Sequence, residues 1–209
     1  MIIEPKMSLL LHEFCDISTH FLNSDIIKDA NISNESVNNL NISEIEFNSC
    51  TLKNITFINC KCTKSYFFNT IFENCDLSNI DLNKSTFKRV LFKNCKLIGT
   101  NLNSSYFENV KFIDCNLKNI FLDDSSLSKI EFNNTTLKEG ILSNLSLKDI
   151  VFENSDLTLC DLSKTSLKNI DLSSSNIEGI TIYPNDIYGV TLNEVQALSF
   201  LKILGINIK

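Results

Sequence analysis

Every fifth residue from Ile17 to Leu192 is apolar. The series runs Ile17, Leu22, Ile27, Ile32, Val37, Ile42, Phe47 and onward without a break through 36 positions: 17 Leu, 10 Phe, 7 Ile, one Val and Cys62. In a chain that is 43% apolar, chance would produce such a run on the order of once in 10^13 trials. A helix repeats at 3.6 residues and a flat strand at 2, so neither generates a strict five. The residue two before each centre forms a second register of mainly small or β-branched side chains, among them Cys15, Ala30, Cys50, Cys60, Ser65, Thr70, Cys75, Ser85, Val90 and Cys95. In extended chain, positions i−2 and i share a face. The remaining three positions are mostly Asn, Asp, Lys, Ser and Glu. Two inward and three outward residues in five describe a chain that turns a corner in every repeat.

A second period lies above the first. The centres read Phe67, Phe72, Leu77, Leu82, then Phe87, Phe92, Leu97, Leu102, then Phe107, Phe112, Leu117, Leu122. The small inward residues agree, with Cys75, Cys95 and Cys115 twenty apart and Ser65, Ser85, Ser105 and Ser125 likewise. A recurrence of side-chain size every twenty residues means four repeats per turn, with like stacked on like. The chain holds only five Gly and two Pro, too few to turn so many corners. Asn fills the last position of many repeats (Asn69, Asn74, Asn79, Asn94, Asn119), and Asn tolerates left-handed backbone at little cost.

Cys75-Asp76-Leu77-Ser78-Asn79, Cys115-Asn116-Leu117-Lys118-Asn119 and Cys160-Asp161-Leu162-Ser163-Lys164 resemble the motif of the pentapeptide-repeat family: a small residue, Asp or Asn, a central Leu or Phe, then two polar residues. The resemblance implies an all-β, right-handed quadrilateral β-helix. About nine coils at roughly 4.8 Å each make a rod of about 43 Å. The expected organisation is an N-terminal cap over residues 1–14, a β-helix over 15–192, and a C-terminal helix and tail over 193–209 that cap the rod and dimerise.

An open β-helix exposes strand edges, so both ends need covers. From Asn193 the period of five stops. Asn193 is placed to cap a helix, Glu194 suits its first turn and Gly205 its exit. Apolar residues cover more of this helix than one face against the last coil requires, and Ile206 and Ile208 alternate beyond it. A homodimer joined through Val195, Leu198, Phe200, Leu201, Leu204, Ile206 and Ile208 is the simplest answer. At the other end His20, Asp25 and Glu35 stand at inward positions where small residues belong. Buried charge is costly, so these first coils are expected to be splayed, partly solvated or covered by residues 1–14.

Chemistry finds little footing in this pattern. The cysteine files sit in inward registers and read as space-filling, including Cys60-Lys61-Cys62. His12, Cys15 and His20 form only a loose trio. No phosphate-binding Gly loop or nucleophile elbow occurs, and only two His are present. No catalytic, cofactor or metal residue is assigned, and the chain is read as a non-enzyme. The leading segment lacks a basic signal region, no apolar run reaches membrane length, and eight Cys without a disulfide spacing suit a reducing cytoplasm.

Charge is distributed unevenly. The formal total is −6 with a pI near 5.0, which argues against direct nucleic-acid binding. Residues 1–46 carry a net −6, residues 47–122 a net +5, and residues 123–196 a net −7. The last segment holds a candidate partner-binding band of Asp123, Asp124, Glu131, Glu139, Glu153, Asp156, Asp161, Asp171 and Glu178, beside the expected dimer seam. The unbroken rod and the closing stretch from Gly189 to Ala197 and on through Leu204-Gly205-Ile206 are similar to the Qnr- and MfpA-like group, especially its Gram-positive members. That resemblance implies a DNA-mimicking dimer that binds bacterial DNA gyrase or topoisomerase IV and protects it from quinolones. The chain departs from loop-bearing Qnr proteins in having no insertion between repeats, and from a uniformly DNA-like surface in its basic middle. The competing reading is a structural or protein-interaction module whose partner is not a topoisomerase.

Overall fold

The computed structural model of the chain describes residues 1–21, 24–203 and 205–207. Each coil of the regular part takes twenty residues and has four sides, named here by the core residues Phe87, Phe92, Leu97 and Leu102. The sides are not equivalent. Along the two Phe sides the chain is strand. Strands β1 (His12–Phe14), β2 (Ile26–Lys28), β3 (Ala30–Ser33), β4 (Ser36–Asn38), β5 (Glu46–Asn48), β6 (Thr51–Lys53) and β7 (Thr56–Ile58) are short. Five eight-residue strands follow: β8 (Tyr66–Glu73), β9 (Thr86–Lys93), β10 (Tyr106–Ile113), β11 (Ser126–Asn133) and β12 (Ser146–Glu153). Each of these bends through one corner, so Phe67 and Phe72 of β8 both point inward on adjacent sides.

All pairing between coils is parallel, with Phe72↔Phe92↔Phe112↔Phe132↔Phe152 in register. Along the two Leu sides, apart from the β4–β7 pair on the Leu97 side of the early coils, with Val37 opposite Phe57, the strands shrink to single bridges, such as Asp76↔Lys96↔Asn116 and Asp81↔Asn101↔Phe121. There the chain makes tight turns, with Ile80 N–H donating to Leu77 O and Ile120 N–H to Leu117 O. The residue before the Leu helps to shape them: Asp76, Asn116, Asp156 and Asp161 each accept the N–H two residues on. That bond is the reason the repeat places Asp or Asn in front of its centre on these sides.

The corners turn as expected, but not on Asn alone. The residue two after each centre has φ between +47° and +66° almost without interruption from Asp29 to Asn169. Lys64, Lys84, Arg89, Glu139 and Leu159 adopt this left-handed conformation beside the many Asn. Stacked coils over-determine each corner, so even a residue that disfavours it is held there.

The interior is buried and layered. Phe47, Phe67, Phe87 and Phe107 stack with ring planes within 7° of parallel. Phe72, Phe92, Phe112, Phe132 and Phe152 form a second file with centroids 4.8–5.1 Å apart. That spacing is the coil rise itself. The buried Ser file adds hydrogen bonds along the axis, with Ser65 N–H donating to Ser85 Oγ and Ser85 N–H to Ser105 Oγ, both at 3.0 Å.

The two ends depart from the expectation. Full strand stacking accounts for about seven turns, not nine, or about 34 Å of rod at 4.8 Å per turn. At the start, β1 pairs with β3 at an offset of eighteen residues rather than twenty, because the helical turn α1 (Ile17–His20) replaces a repeat. Cys15 is therefore exposed and not inward. Asp25 is exposed, while His20 and Glu35 are half-buried. Glu35 finds a use: its carboxylate accepts the N–H groups of Asp16 and Ile17 at the start of α1. This end is partly solvated, as its charges require. Residues 3–6 do not lie over it; they run along the flank of the rod, bonded to Asn109 and Asn69. Among the described residues no helix is long and apolar enough to cross a membrane.

At the far end a 3-10 turn, Pro184–Ile187, stands in for one repeat, and α2 (Glu194–Ile203) packs against part of the last coil. Asn193 Oδ1 accepts Gln196 N–H, and Gln196 Oε1 accepts Asn193 N–H, a reciprocal cap. The Gln196 amide also donates to Leu172 O at 2.9 Å and Ser175 O at 2.7 Å. Those carbonyls belong to the last coil edge, so one side chain both starts the helix and pins it in place. Gly205 has φ +74° and Ile206 N–H returns to Leu201 O, the exit geometry that glycine permits.

Candidate partner-binding surface

The nine acidic residues singled out from the sequence do not share one face. Register places Glu131, Glu153 and Asp171 on the Phe92 side, Glu139, Asp156 and Glu178 on the Leu97 side, and Asp123, Asp124 and Asp161 on the Leu102 side. The Phe87 side of the same coils carries Lys129, Lys148 and Lys168. The band thus wraps three sides and leaves a basic fourth. Charge counted along the chain mixes the four sides, and only sorting residues by their position within twenty separates them.

Local bonds hold several of these carboxylates. Glu131 pairs with Lys111 at 3.4 Å and Glu139 with Lys118 at 3.4 Å. Glu153 accepts from Asn133 Nδ2, Asp123 from Ser143 Oγ, and Asp124 from Asn144 Nδ2. Each partner lies about one coil away, because stacking brings residues twenty apart side by side. Asp156, Asp161 and Asp171 accept backbone N–H groups of their own turns at 2.9 Å. Bonds from Ser173 hold the Asp171 carboxyl below the ordinary carboxylate range, so it stays charged at neutral pH. Asp171 and Glu178 are exposed. The basic middle is similarly cross-linked: Lys88 meets Glu108 at 2.8 Å, Lys53 meets Glu73 at 3.4 Å and Lys61 meets Asp81 at 3.7 Å.

The residues expected to join two subunits fall into two sets. Val195 (76% exposed), Leu198 (52%) and Ile206 (48%) face outward. Leu201 is half-buried. Phe200 is 4% exposed and packs in the core, so it belongs to the cap and not to an outer face. Helical spacing explains the division, since Gln196 and Phe200 share a stripe four residues apart while Val195 and Leu198 share another. Leu204 and Ile208 lie outside the described residues. A cleft of about 540 Å3 opens between α2 and residues Ser175–Ile180, so the helix covers only part of the last coil.

The cysteines fill space. Cys50, Cys60, Cys62, Cys75, Cys95, Cys115 and Cys160 are all buried and unpaired. Burial pushes the Cys50 thiol up to about 11 and those of Cys62 and Cys160 up to about 12. Cys115 moves the other way, lowered by its contact with the Cys95 thiol one coil below. Their S–H groups point at backbone oxygens one coil down, Cys75 to Leu52 O and Cys95 to Phe72 O. Burial that disfavours the thiolate suits these side chains to packing. Among the described residues no cluster of three or more His, Cys, Asp or Glu is disposed to hold a metal.

A parallel β-solenoid with four sides, twenty residues per turn and a helical cap is the class of protein these observations define. The pentapeptide repeat region profile matches residues 65–142, and the pentapeptide repeats profile matches 45–83 and 141–179. The chain belongs to the pentapeptide-repeat family. Comparison with curated protein sequences finds no match. Among solved structures, a trypsin-treated variant of QnrB1, a plasmid-mediated fluoroquinolone resistance protein, superposes with TM-score 0.56 at 18% identity, covering 86% of this chain and 100% of that one. Full-length QnrB1 gives TM-score 0.51 at 17% identity over 84% of this chain and 100% of that one. HetL, a pentapeptide-repeat protein involved in heterocyst differentiation regulation from the cyanobacterium Nostoc, aligns over 82% of this chain and 91% of its own at 12% identity, with TM-score 0.34. This chain therefore shares the QnrB1 fold.

Proposed function

We propose that this chain is a non-enzymatic cytoplasmic rod, dimerised through α2, whose acidic half takes the place of DNA phosphates on bacterial DNA gyrase or topoisomerase IV and shields the enzyme from quinolones. The observation that carries the reading is the density of the acidic band. Its nine carboxylates, from Asp123 to Glu178, fall within less than three turns. That is one per roughly 1.5 Å of rod at 4.8 Å per turn, against one phosphate per about 1.7 Å of duplex DNA. Counting Asp149 and the five lysines of the same stretch, the net charge is still one per roughly 2.6 Å.

Dimerisation through Val195, Leu198, Leu201 and Ile206 brings two such bands together across the seam. The likeness to QnrB1 supports this reading through the fold. The helical cap and the exposed apolar residues beside the band support the assembly.

The test is a gyrase supercoiling assay with and without ciprofloxacin in the presence of the purified protein. The reading expects supercoiling to change at stoichiometric protein, or to be restored in the presence of drug. No effect on either reaction assigns the rod to a partner other than topoisomerase. The cross-coil pairing of Glu131 and Glu139 with lysines already lowers the charge open to a DNA-like role.

A further inference from the structure

The leading segment lies in a track built by one corner of the rod. Ile3 N–H donates to Asn109 Oδ1 at 3.0 Å, and Lys6 N–H donates to Asn69 Oδ1 at 3.1 Å. Lys6 O accepts from Ser49 Oγ, and Glu4 meets Lys111 Nζ at 2.5 Å. Asn69 and Asn109 occupy the same left-handed corner two coils apart. Three residues of extended chain span roughly 9–10 Å, and two coils rise roughly 9.6 Å. The segment and the corner are therefore commensurate, three residues to two coils. Ile2, Pro5 and Met7 are half-buried while Ile3, Glu4 and Lys6 are exposed.

The track has its own chemistry. Asn109 is only 3% exposed, and its amide oxygen is spent on a backbone donor 106 residues away in sequence. Beside the corner, the outward file of the Phe92 side holds Ile71 and Leu91, apolar and half-buried, and then Lys111. Glu4 satisfies Lys111, and with Glu131 it holds the ammonium above its ordinary range. Lys6 is less well matched. Its N–H shares the Asn69 oxygen with Arg89 Nε, which donates at 2.6 Å, so a cationic residue sits beside a cation. Sorted by side, the two Phe sides of these coils (residues 66–73, 86–93 and 106–113) carry Lys88, Arg89, Lys93 and Lys111 against Glu73 and Glu108, which favours an acidic occupant.

We propose that the corner formed by Asn69, Arg89, Asn109 and Lys111 is a docking site for an extended acidic peptide segment of a partner protein, and that residues 2–7 occupy it as a displaceable plug. The partner segment presents backbone N–H groups three residues apart to Asn109 and Asn69 and a carboxylate to Lys111. A second carboxylate in place of Lys6 meets Arg89, so such a segment outcompetes the plug. The inference does not rest on topoisomerase binding.

The test uses a fluorescein-labelled peptide of residues 1–8 and the full chain. The double variant Ile3→Pro, Glu4→Gln removes the donor to Asn109 and the charge on Lys111, and so releases the plug; circular dichroism establishes that it keeps its fold. Fluorescence anisotropy should then show the peptide binding the released variant at least about tenfold more tightly than the parent. The Lys6→Glu peptide should bind more tightly still, and adding Asn109→Ala and Lys111→Gln to the released variant should abolish binding. Equal binding to parent and variant, absence of binding to the folded variant, or indifference to the Asn109 and Lys111 changes would each overturn the proposal.

Discussion

Replacing Phe92 by Ala tests the layered core where it is densest. The ring is 1% exposed and lies between Phe72 at 4.8 Å and Phe112 at 4.9 Å, tilted against Phe87 at 6.1 Å. Truncation of a buried Phe costs about 3–5 kcal/mol, including the cavity it leaves. Two stacked pairs are lost with it, each worth about 0.5–1.5 kcal/mol beyond area. The parallel files above and below leave little room to collapse, so the upper part of the range applies, about 5 kcal/mol. Phe152 has only one stacked partner, Phe132 at 5.0 Å, and is 6% exposed, so Phe152→Ala should cost less, about 3 kcal/mol. Lys93 is the next residue after Phe92 and points outward; Lys93→Ala should stay within about 0.5 kcal/mol. Urea titrations followed by circular dichroism give the three values. Equal midpoints for the Phe92 and Lys93 variants would refute the register, and equal losses at Phe92 and Phe152 would refute the contribution of stacking.

Three further outcomes follow from the same geometry. Cys15 is the exposed thiol and the other seven are buried, so a native-state thiol titration at pH 8 should count one group and a denatured one eight. Val195→Lys with Leu198→Lys should give a monomer by light scattering while the melting temperature stays close to that of the parent, because Gln196 and Phe200 still hold α2 down; an intact dimer, or a parent that is already monomeric, would sink the seam. The Lys88 ammonium holds the Glu108 carboxyl below its ordinary range, so its contribution to stability is complete above the unfolded value near 4.5 and is lost as pH falls through the lower folded value. Glu108→Gln should therefore flatten the acid limb of the melting-temperature profile below about pH 4.5 and leave the neutral region nearly level.

What could be read from the sequence follows from how each feature is encoded. The inward files are legible because every coil repeats them: Phe72, Phe92 and Phe112 are twenty apart in sequence and in contact in space. The helical cap is legible because Asn193, Glu194 and Gly205 act within one local segment; the Gln196 bonds to Leu172 O and Ser175 O join residues more than twenty apart and are not. The first coil is not. Cys15 fits the small-residue register yet is exposed, because Asp16 turns left-handed and begins α1, whose start is held by Glu35 from the next coil. The flanking position of residues 3–6 is equally hidden, since its bonds span 63 and 106 residues and obey no local period. The acidic band was visible as a list of residues but not as a shape. Its three sides emerge only when coils are stacked, and so does the neutralisation of Glu131 and Glu139.

The central claim, that the acidic band substitutes for DNA phosphates, is tested most directly by equilibrium binding to gyrase at low salt. The comparison is between the parent and the triple variant Asp156→Asn, Asp161→Asn, Asp171→Asn. The three carboxylates accept N–H groups from Thr158, Ser163 and Ser173 at 2.9 Å, bonds an Asn amide oxygen can still accept, so the fold and its stability should be preserved. Three charges per subunit are removed, each exposed pair being worth up to about 1 kcal/mol. The account predicts binding at least about tenfold weaker, a smaller salt dependence, and no weakening when Lys93 and Lys96 are changed to Gln instead. A triple variant that binds gyrase as tightly as the parent at low salt contradicts it.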